Sequence, residues 1–518
     1  MMKSINPVMF KRLRALDNPQ LQLLLLRYSV VSKYNFITRT MPPDATTPCL
    51  LKLKEHVDDA LANIMGLQVL PERVSAISSL SLRTGGLGLT NLNELKHTAY
   101  FASSSHAVNT WAKYLDPKHK IIKSWTASAT RSCTQIKASL AFHTPLLVSY
   151  NKDKILVNPL TAPNDAGDKA DPERLIGRIN LPALPQSVPC CAKLNAGPTA
   201  KLQRTLSKIG NVVQFRAAWK SIPQDNNAAR SQFLANTVPT SCTWLTVLPS
   251  HKHFCLDAHD FRYNLLQHFA LDKAIAALEK LPIDDPIDCA CAGPASKAAQ
   301  HAHATYEHMV NCTHSSTFTT RHNALAKVLA DAAKSTGLLP EMERTVSKGA
   351  TVLGNNNQIL PKMKFDVSVY GIGPNTKTFH LDVSVTSHRQ KQAAFQQGCS
   401  RFPLHAANDK VVEKINKYKN SYFDDIEFFL PVIAETSGAI HKNFVVYYTA
   451  LSKRVGSLPP PGADWTTTTF ISYWMAMTSI TLRRESARAF QRLARASLQS
   501  AGNAGPAIAS LVPGGTDF

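Results

Sequence analysis

Phe365-Asp366-Val-Ser-Val369 and Leu381-Asp382-Val-Ser-Val385 decide how this chain reads. Both runs are built from β-branched, aromatic and small residues, the composition of a strand. Each also carries one aspartate. A carboxylate inside an apolar strand is costly to bury unless it is paired or holds a cation. If the two strands are antiparallel neighbours, Asp366 and Asp382 meet at one edge and can share Mg2+, a hard ion that prefers oxygen. The plainer alternative is that both acids point to solvent from half-exposed strands.

Working outward, the sequence predicts helix–strand–strand–strand–helix–strand: a helix over 321–336, strands near 342–353, 365–370 and 378–386, a helix over 405–420, and a strand at Glu427–Ile433. Gly371-Ile-Gly-Pro374 and Asn375 supply turn chemistry between two of the strands. The helix over 405–420 carries Lys414-Ile-Asn-Lys417-Tyr418, whose lysines lie one turn apart on one face, placed to neutralise a phosphate or orient a water. Upstream, Cys289, Cys291, His308 and Cys312 form a two-plus-two set of soft ligands suited to tetrahedral zinc. His308 and Cys312, four apart, share a helical face. His301, His303 and His314 are rival ligands.

The chain has 518 residues, with 58 Lys+Arg against 36 Asp+Glu and a net charge of +22. That excess argues for a polyanionic partner, because each neutralised phosphate releases counterions. Apolar content of 44% supplies real cores. The start lacks a charged-then-apolar signal pattern, and Phe470–Met477, the nearest membrane candidate, is far too short to span a bilayer. Ten sparse, irregular cysteines do not make a disulfide scaffold, so a nuclear or cytoplasmic rather than secreted setting is expected. The fold expected is α+β and multidomain. A helical region spans 1–115, where Arg83-Thr-Gly-Gly-Leu-Gly-Leu89 marks a close turn. A variable insertion spans 116–200, a helical linker 201–285, a zinc-stabilised module 286–316, the α/β domain 317–455, and a basic helical tail with a disordered end 456–518.

In this order the pieces resemble the restriction-like endonuclease domain of non-LTR (LINE-type) retrotransposon proteins, a branch of the PD-(D/E)xK nucleases. The resemblance is carried by the cysteine–histidine motif, Arg321-His322-Asn323, Asp366, Asp382, Lys414-Ile-Asn-Lys417-Tyr418 and Pro431-Val-Ile-Ala-Glu435-Thr-Ser-Gly438. Leu82–Leu89, Trp244-Leu-Thr-Val-Leu-Pro249 and Phe261-Arg-Tyr-Asn-Leu-Leu266 extend it over most of the chain except 116–200. It implies a restriction-endonuclease-like αβββαβ fold, a structural Zn2+ and a catalytic Mg2+ held by Asp366 and Asp382 with Glu343 (Glu341 being nearly as suitable). It further implies Lys414 as catalytic lysine, Lys417 on phosphate, Arg321 and His322 bracing the site or binding the DNA backbone, and Tyr418 toward nucleic acid. The implied reaction nicks target DNA and leaves a 3′-hydroxyl; in a complete element that end primes reverse transcription of element RNA.

The sequence departs from the pattern in three places. Phe365 stands where the family has proline, Cys289-Ala-Cys291 is followed by alanine rather than glycine, and Asp382-Val-Ser384 lacks the usual lysine, which must come from the later helix. A polymerase site is missing too: Tyr422-Phe-Asp-Asp425, the nearest match to its paired aspartates, falls after the nuclease helix. The chain therefore reads as the carboxy-terminal part of such an element. The alternative reading is an inactive remnant that only binds nucleic acid through zinc and basic helices.

Overall fold

The computed structural model describes residues 5–111, scattered positions from 114 to 135, 211, 214–282, 287–291, 303–312, 316–345, 364–372, 377–389, 393–418 and 427–503. The expected insertion over 116–200 falls largely outside them, as do residues 346–353, Cys190-Cys191, His301 and His314. The chain divides into two compact units, one ending at Asn226 and the other beginning at Asn227.

Among the described residues the first unit includes the helices α1 (Pro7–Arg14), α2 (Pro19–Leu25), α3 (Ser32–Thr40), α4 (Pro43–Met65), α5 (Glu72–Ser78) and α6 (Leu92–Trp111). Side chains of Asn6 and Asn18 cap α1 and α2 by accepting from Val8 N and Leu21 N. The glycine turn after α5 is as close as the sequence suggests. A Cβ at Gly86 would overlap the Leu80 carbonyl, and the buried Arg27 guanidinium donates to Leu87 O at 2.6 Å.

The second unit is α+β. Its helices are α7 (Asn227–Asn236), α8 (Ala258–His268), α9 (Asp272–Leu278), α10 (Tyr306–Asn311), α11 (Ser316–Lys334), α12 (Ala393–Cys399), α13 (His405–Tyr418), α14 (Asn443–Val455) and α15 (Phe470–Asn503). Its strands β1 (Pro340–Thr345), β2 (Lys364–Ile372), β3 (Lys377–Thr386) and β4 (Glu427–Glu435) form one sheet in the order β1-β2-β3-β4. The first three are antiparallel neighbours; β3 and β4 run parallel, joined by a crossover that contains α12 and α13. From His380 to Thr386, β3 is buried without a break, as a strand flanked by partners and covered by helices must be. The α11 and α14 helices pack on the sheet, with Tyr447 OH donating to Leu329 O at 3.0 Å. The α13 helix packs on β3 and β4.

One expectation is corrected. The segment expected to be a basic tail is the spine of the second unit. In α15, Phe470, Trp474, Ile480, Phe490 and Leu493 are all buried. Arg483 is fully buried and donates to Gln267 Oε1 at 2.9 Å, while Arg484 Nη2 donates to the carbonyls of His253 (3.0 Å) and Cys255 (2.8 Å). Apolar residues at helical spacing run along the helix as far as Leu493 and Ala494, so Arg483 and Arg484 on that side are drawn into internal hydrogen bonds, while Arg492 and Arg495 stay exposed. From Asn227 on, the remainder of the linker, the cysteine–histidine segment, the sheet and α15 fall in one compact unit, and the boundary at 226/227 lies inside the expected linker.

Candidate active site and metal centre

The two aspartates arrive together through strand register. Val367 pairs with Leu381 and Ser368 with His380, and continuing that antiparallel register by one residue brings Asp366 level with Asp382. Asp366 Oδ2 accepts from Val383 N at 2.6 Å and lies 3.1 Å from His322 Nε2. Asp382 Oδ1 accepts from Lys414 Nζ at 2.7 Å, with side chains 5% and 14% exposed. Asp382 Oδ2 is buried with no hydrogen-bond partner among the described residues. Such an oxygen needs a cation or a donor. The hydrogen bond to Asp366 raises the His322 pKa above the ordinary imidazole value, against the opposing effect of burial.

Tyr418 closes the cluster from α13. Its hydroxyl donates to Lys364 O at 3.1 Å, and its ring stacks on Phe365, 5.3 Å between centroids. Burial, then the nearby Asp382 carboxylate, pushes the phenol pKa far up, so it stays protonated. Phe365 sits between this ring and His380, 4.4 Å away, which gives the residue standing in the proline position a packing role.

The remaining expected site residues fall elsewhere. Glu343 is level with Asp366 by the β1–β2 register, but its φ of +54° interrupts the ladder. Its carboxylate is 72% exposed and 3.2 Å from Lys364 Nζ, outside the hydrogen-bonded cluster. Glu341 accepts from Tyr370 OH at 2.6 Å. Lys417 is exposed, with its ammonium 5.0 Å from the centre of the Tyr418 ring. Arg321 was expected to brace either the site or the DNA backbone, and Tyr418 to face nucleic acid; burial withdraws both from a nucleic-acid face and leaves Arg321 the bracing role. They are 6% and 2% exposed, Arg321 lying over the Phe318 ring at 5.9 Å. His322, one residue on and about 100° further round the helix, reaches Asp366.

A polar chain in the sheet was missed. Ser368 Oγ lies 2.9 Å from His380 Nδ1, and His380 Nε2 lies 3.2 Å from Glu427 Oε1. The signal was available: Ser368 stands two residues after Asp366, and His380 two before Asp382, so strand periodicity gives each pair one face. Ser368 is fully buried, which suits a structural hydrogen bond rather than a nucleophile.

The cysteine–histidine set converges on one point. The ligand atoms of Cys289, Cys291, His308 and Cys312 all lie within 4.8 Å of one another, and Cys291 Sγ is 3.1 Å from His308 Nε2. Tetrahedral zinc with Zn–S near 2.3 Å needs sulfurs about 3.8 Å apart, so this Cys3His group could hold a zinc ion. Hydrogen bonding, first from Cys312, pulls the Cys289 thiol down to about 3 against the effect of burial; burial and the neighbouring Cys289 raise Cys291. The rival His303 pairs with Asp288 at 3.6 Å instead. The cluster is tied to the sheet: the Asn311 side chain donates to Arg389 O, just beyond β3, and Gln396 Nε2 on α12 donates to Glu307 Oε1 at 2.9 Å.

No helix among the described residues is long and apolar enough to cross a membrane. Comparison with protein-family models and with curated proteins gives no match to this chain.

Proposed function

We propose that the chain is a Mg2+-dependent DNA endonuclease of the restriction-like type, which nicks target DNA during integration of a non-LTR retrotransposon. One observation carries the reading: two carboxylates on adjacent strands, level with one another, with a lysine 2.7 Å from one and a histidine 3.1 Å from the other. Asp366 and Asp382 would hold the ion, and the buried, unpartnered Oδ2 of Asp382 fits that role. When bound, Mg2+ stabilises the charge that develops on the scissile phosphate and acidifies a water. Lys414 is poised to exchange its carboxylate partner for a phosphate oxygen or the attacking water. His322 fixes the orientation of Asp366, and exposed Lys417 offers a phosphate contact. The +22 net charge favours a nucleic-acid partner, and the Cys3His group, as a zinc site, would brace the end of β3. By this reading, the restriction-like αβββαβ arrangement runs from α11 to β4.

A second reading, a nucleic-acid-binding remnant without activity, is favoured by the internal use of Lys414 and by the position of Glu343 outside the cluster. Incubation with supercoiled plasmid and Mg2+, beside an Asp382→Ala variant, separates the two. Conversion to nicked circles that chelator and the substitution both abolish supports the nuclease. Salt-sensitive DNA binding without nicking supports the remnant, and equal nicking by both proteins refutes the assignment of the residues.

A further inference from the structure

We propose that Glu435 is a positioning residue for Lys414, anchoring α13 at the depth that brings the lysine to Asp382; its catalytic consequence rests on the nuclease reading above. Glu435 ends β4, opposite Thr386 of β3, and is 1% exposed. Its Oε1 accepts from Ala407 N at 3.1 Å, and its Oε2 accepts from Ser437 Oγ at 3.1 Å. Ala407 is the third residue of α13. The first N–H groups of a helix have no acceptor within it, and Leu404, just before the helix, has no side-chain oxygen to cap one. Leu404 also sits at φ +59°, a conformation that L residues avoid. The start of α13 is therefore held from outside, by a strand carboxylate acting as its cap.

That anchor bears on the lysine through helix geometry. Ala407, Lys414 and Tyr418 are spaced by seven and four residues, so they lie along one stripe. Lys414 stands about 10 Å along the axis from Ala407, at about 1.5 Å per residue. At the far end the Tyr418 hydroxyl donates to Lys364 O of β2, two residues before Asp366. The helix is thus pinned at both ends, by Glu435 on β4 and by Tyr418 on β2, with Lys414 between. A slip of α13 along its axis by a single residue's rise would exceed the tolerance of a 2.7 Å ion pair.

The test uses the full chain carrying Glu435→Gln, which keeps an acceptor for Ala407 N, and Glu435→Leu, which fills similar space and accepts nothing. Acetylation by acetic anhydride in metal-free buffer, read lysine by lysine by mass spectrometry, needs no activity. Lys414 should react slowly in the wild type and in Glu435→Gln, and several-fold faster, toward the rate of Lys417, in Glu435→Leu. No acceleration, or one shared by every lysine of the second unit, overturns the inference. If the wild type nicks plasmid, Glu435→Leu should lower kcat on the order of 100-fold, with the Kd for DNA unchanged and no further loss when combined with Lys414→Met. Additive losses would overturn it. If the wild type does not nick, the nuclease reading fails and the acetylation result alone decides whether Glu435 places Lys414.

Discussion

Replacing Lys414 by methionine removes the ammonium and keeps most of the stem. Asp382, 5% exposed, then loses the donor on Oδ1 while Oδ2 already has none among the described residues. Removing one member of a buried pair costs about 3–5 kcal/mol, because the other charge is stranded. Both side chains are well under one third exposed, so solvent screens the pair little, although the 14% exposure of Lys414 lets some water reach the site. An expected loss of about 2–4 kcal/mol in chelator follows. Asp382→Asn combined with Lys414→Met removes both charges and should recover most of that loss. Mg2+ offers a second check. At about 100 times its Kd, a bound ligand adds about 2.7 kcal/mol, and the ion can replace the missing ammonium as counter-charge. Urea unfolding in chelator and in Mg2+ should therefore show a larger magnesium gain for Lys414→Met than for the double variant. A cost below about 0.5 kcal/mol for Lys414→Met, or equal magnesium gains in both proteins, would refute the reasoning.

Three other outcomes are expected. The protein should carry one zinc per chain by elemental analysis, and Cys312→Ser should lose it and lower Tm; a metal-free wild type with an unchanged melting curve would count against the centre. At Gly438, φ is +91° and a Cβ would overlap the Arg483 guanidinium, whose neighbours Gln267 and Trp244 leave it little room. Gly438→Ala should cost at least about 3 kcal/mol, read from the urea midpoint, and a loss within about 0.5 kcal/mol would show that Arg483 can move. Burial raises the Glu435 carboxyl to about 7 from an ordinary 4.5, so between those two pH values the folded state holds a proton that the unfolded chain has released. The stabilising contribution is full below pH 4.5 and is lost as pH rises through 7. Urea midpoints at pH 5 and pH 8 should fall further in the wild type than in Glu435→Gln; parallel falls would contradict the assignment.

The strands bearing Asp366 and Asp382 were legible because an apolar run broken by one acid is a strong local signal. The antiparallel register that sets the acids level was legible only as a condition, since pairing is a long-range choice. The Cys3His set could be read from ligand chemistry and from the four-residue spacing of His308 and Cys312, and the structure sets the rival His303 aside in a bridge to Asp288. Glu343 could not be placed, because its positive φ turns a side chain that alternation assigns to the cluster. Residue type also misled at Arg321 and Tyr418, where a cation and an aromatic suggested a nucleic-acid face and packing withdrew both into the interior. In α15 the basic residues drew attention away from the apolar stripe between them.

That same helix sets a schedule for the growing chain. Trp244 N donates to Ser479 Oγ, Asn264 Nδ2 to the Arg483 carbonyl, and Ala290 N to Ser497 Oγ, across separations of 235, 219 and 207 residues. At about 5–20 residues per second, each of these partners leaves the ribosome roughly 10–50 s after the group that awaits it. Through that interval Trp244 and Phe261, which end fully enclosed, have no α15 to cover them. The second unit can close only once α15 has emerged, so its early segments depend on chaperone cover, or on a temporary fold of their own, until the spine arrives.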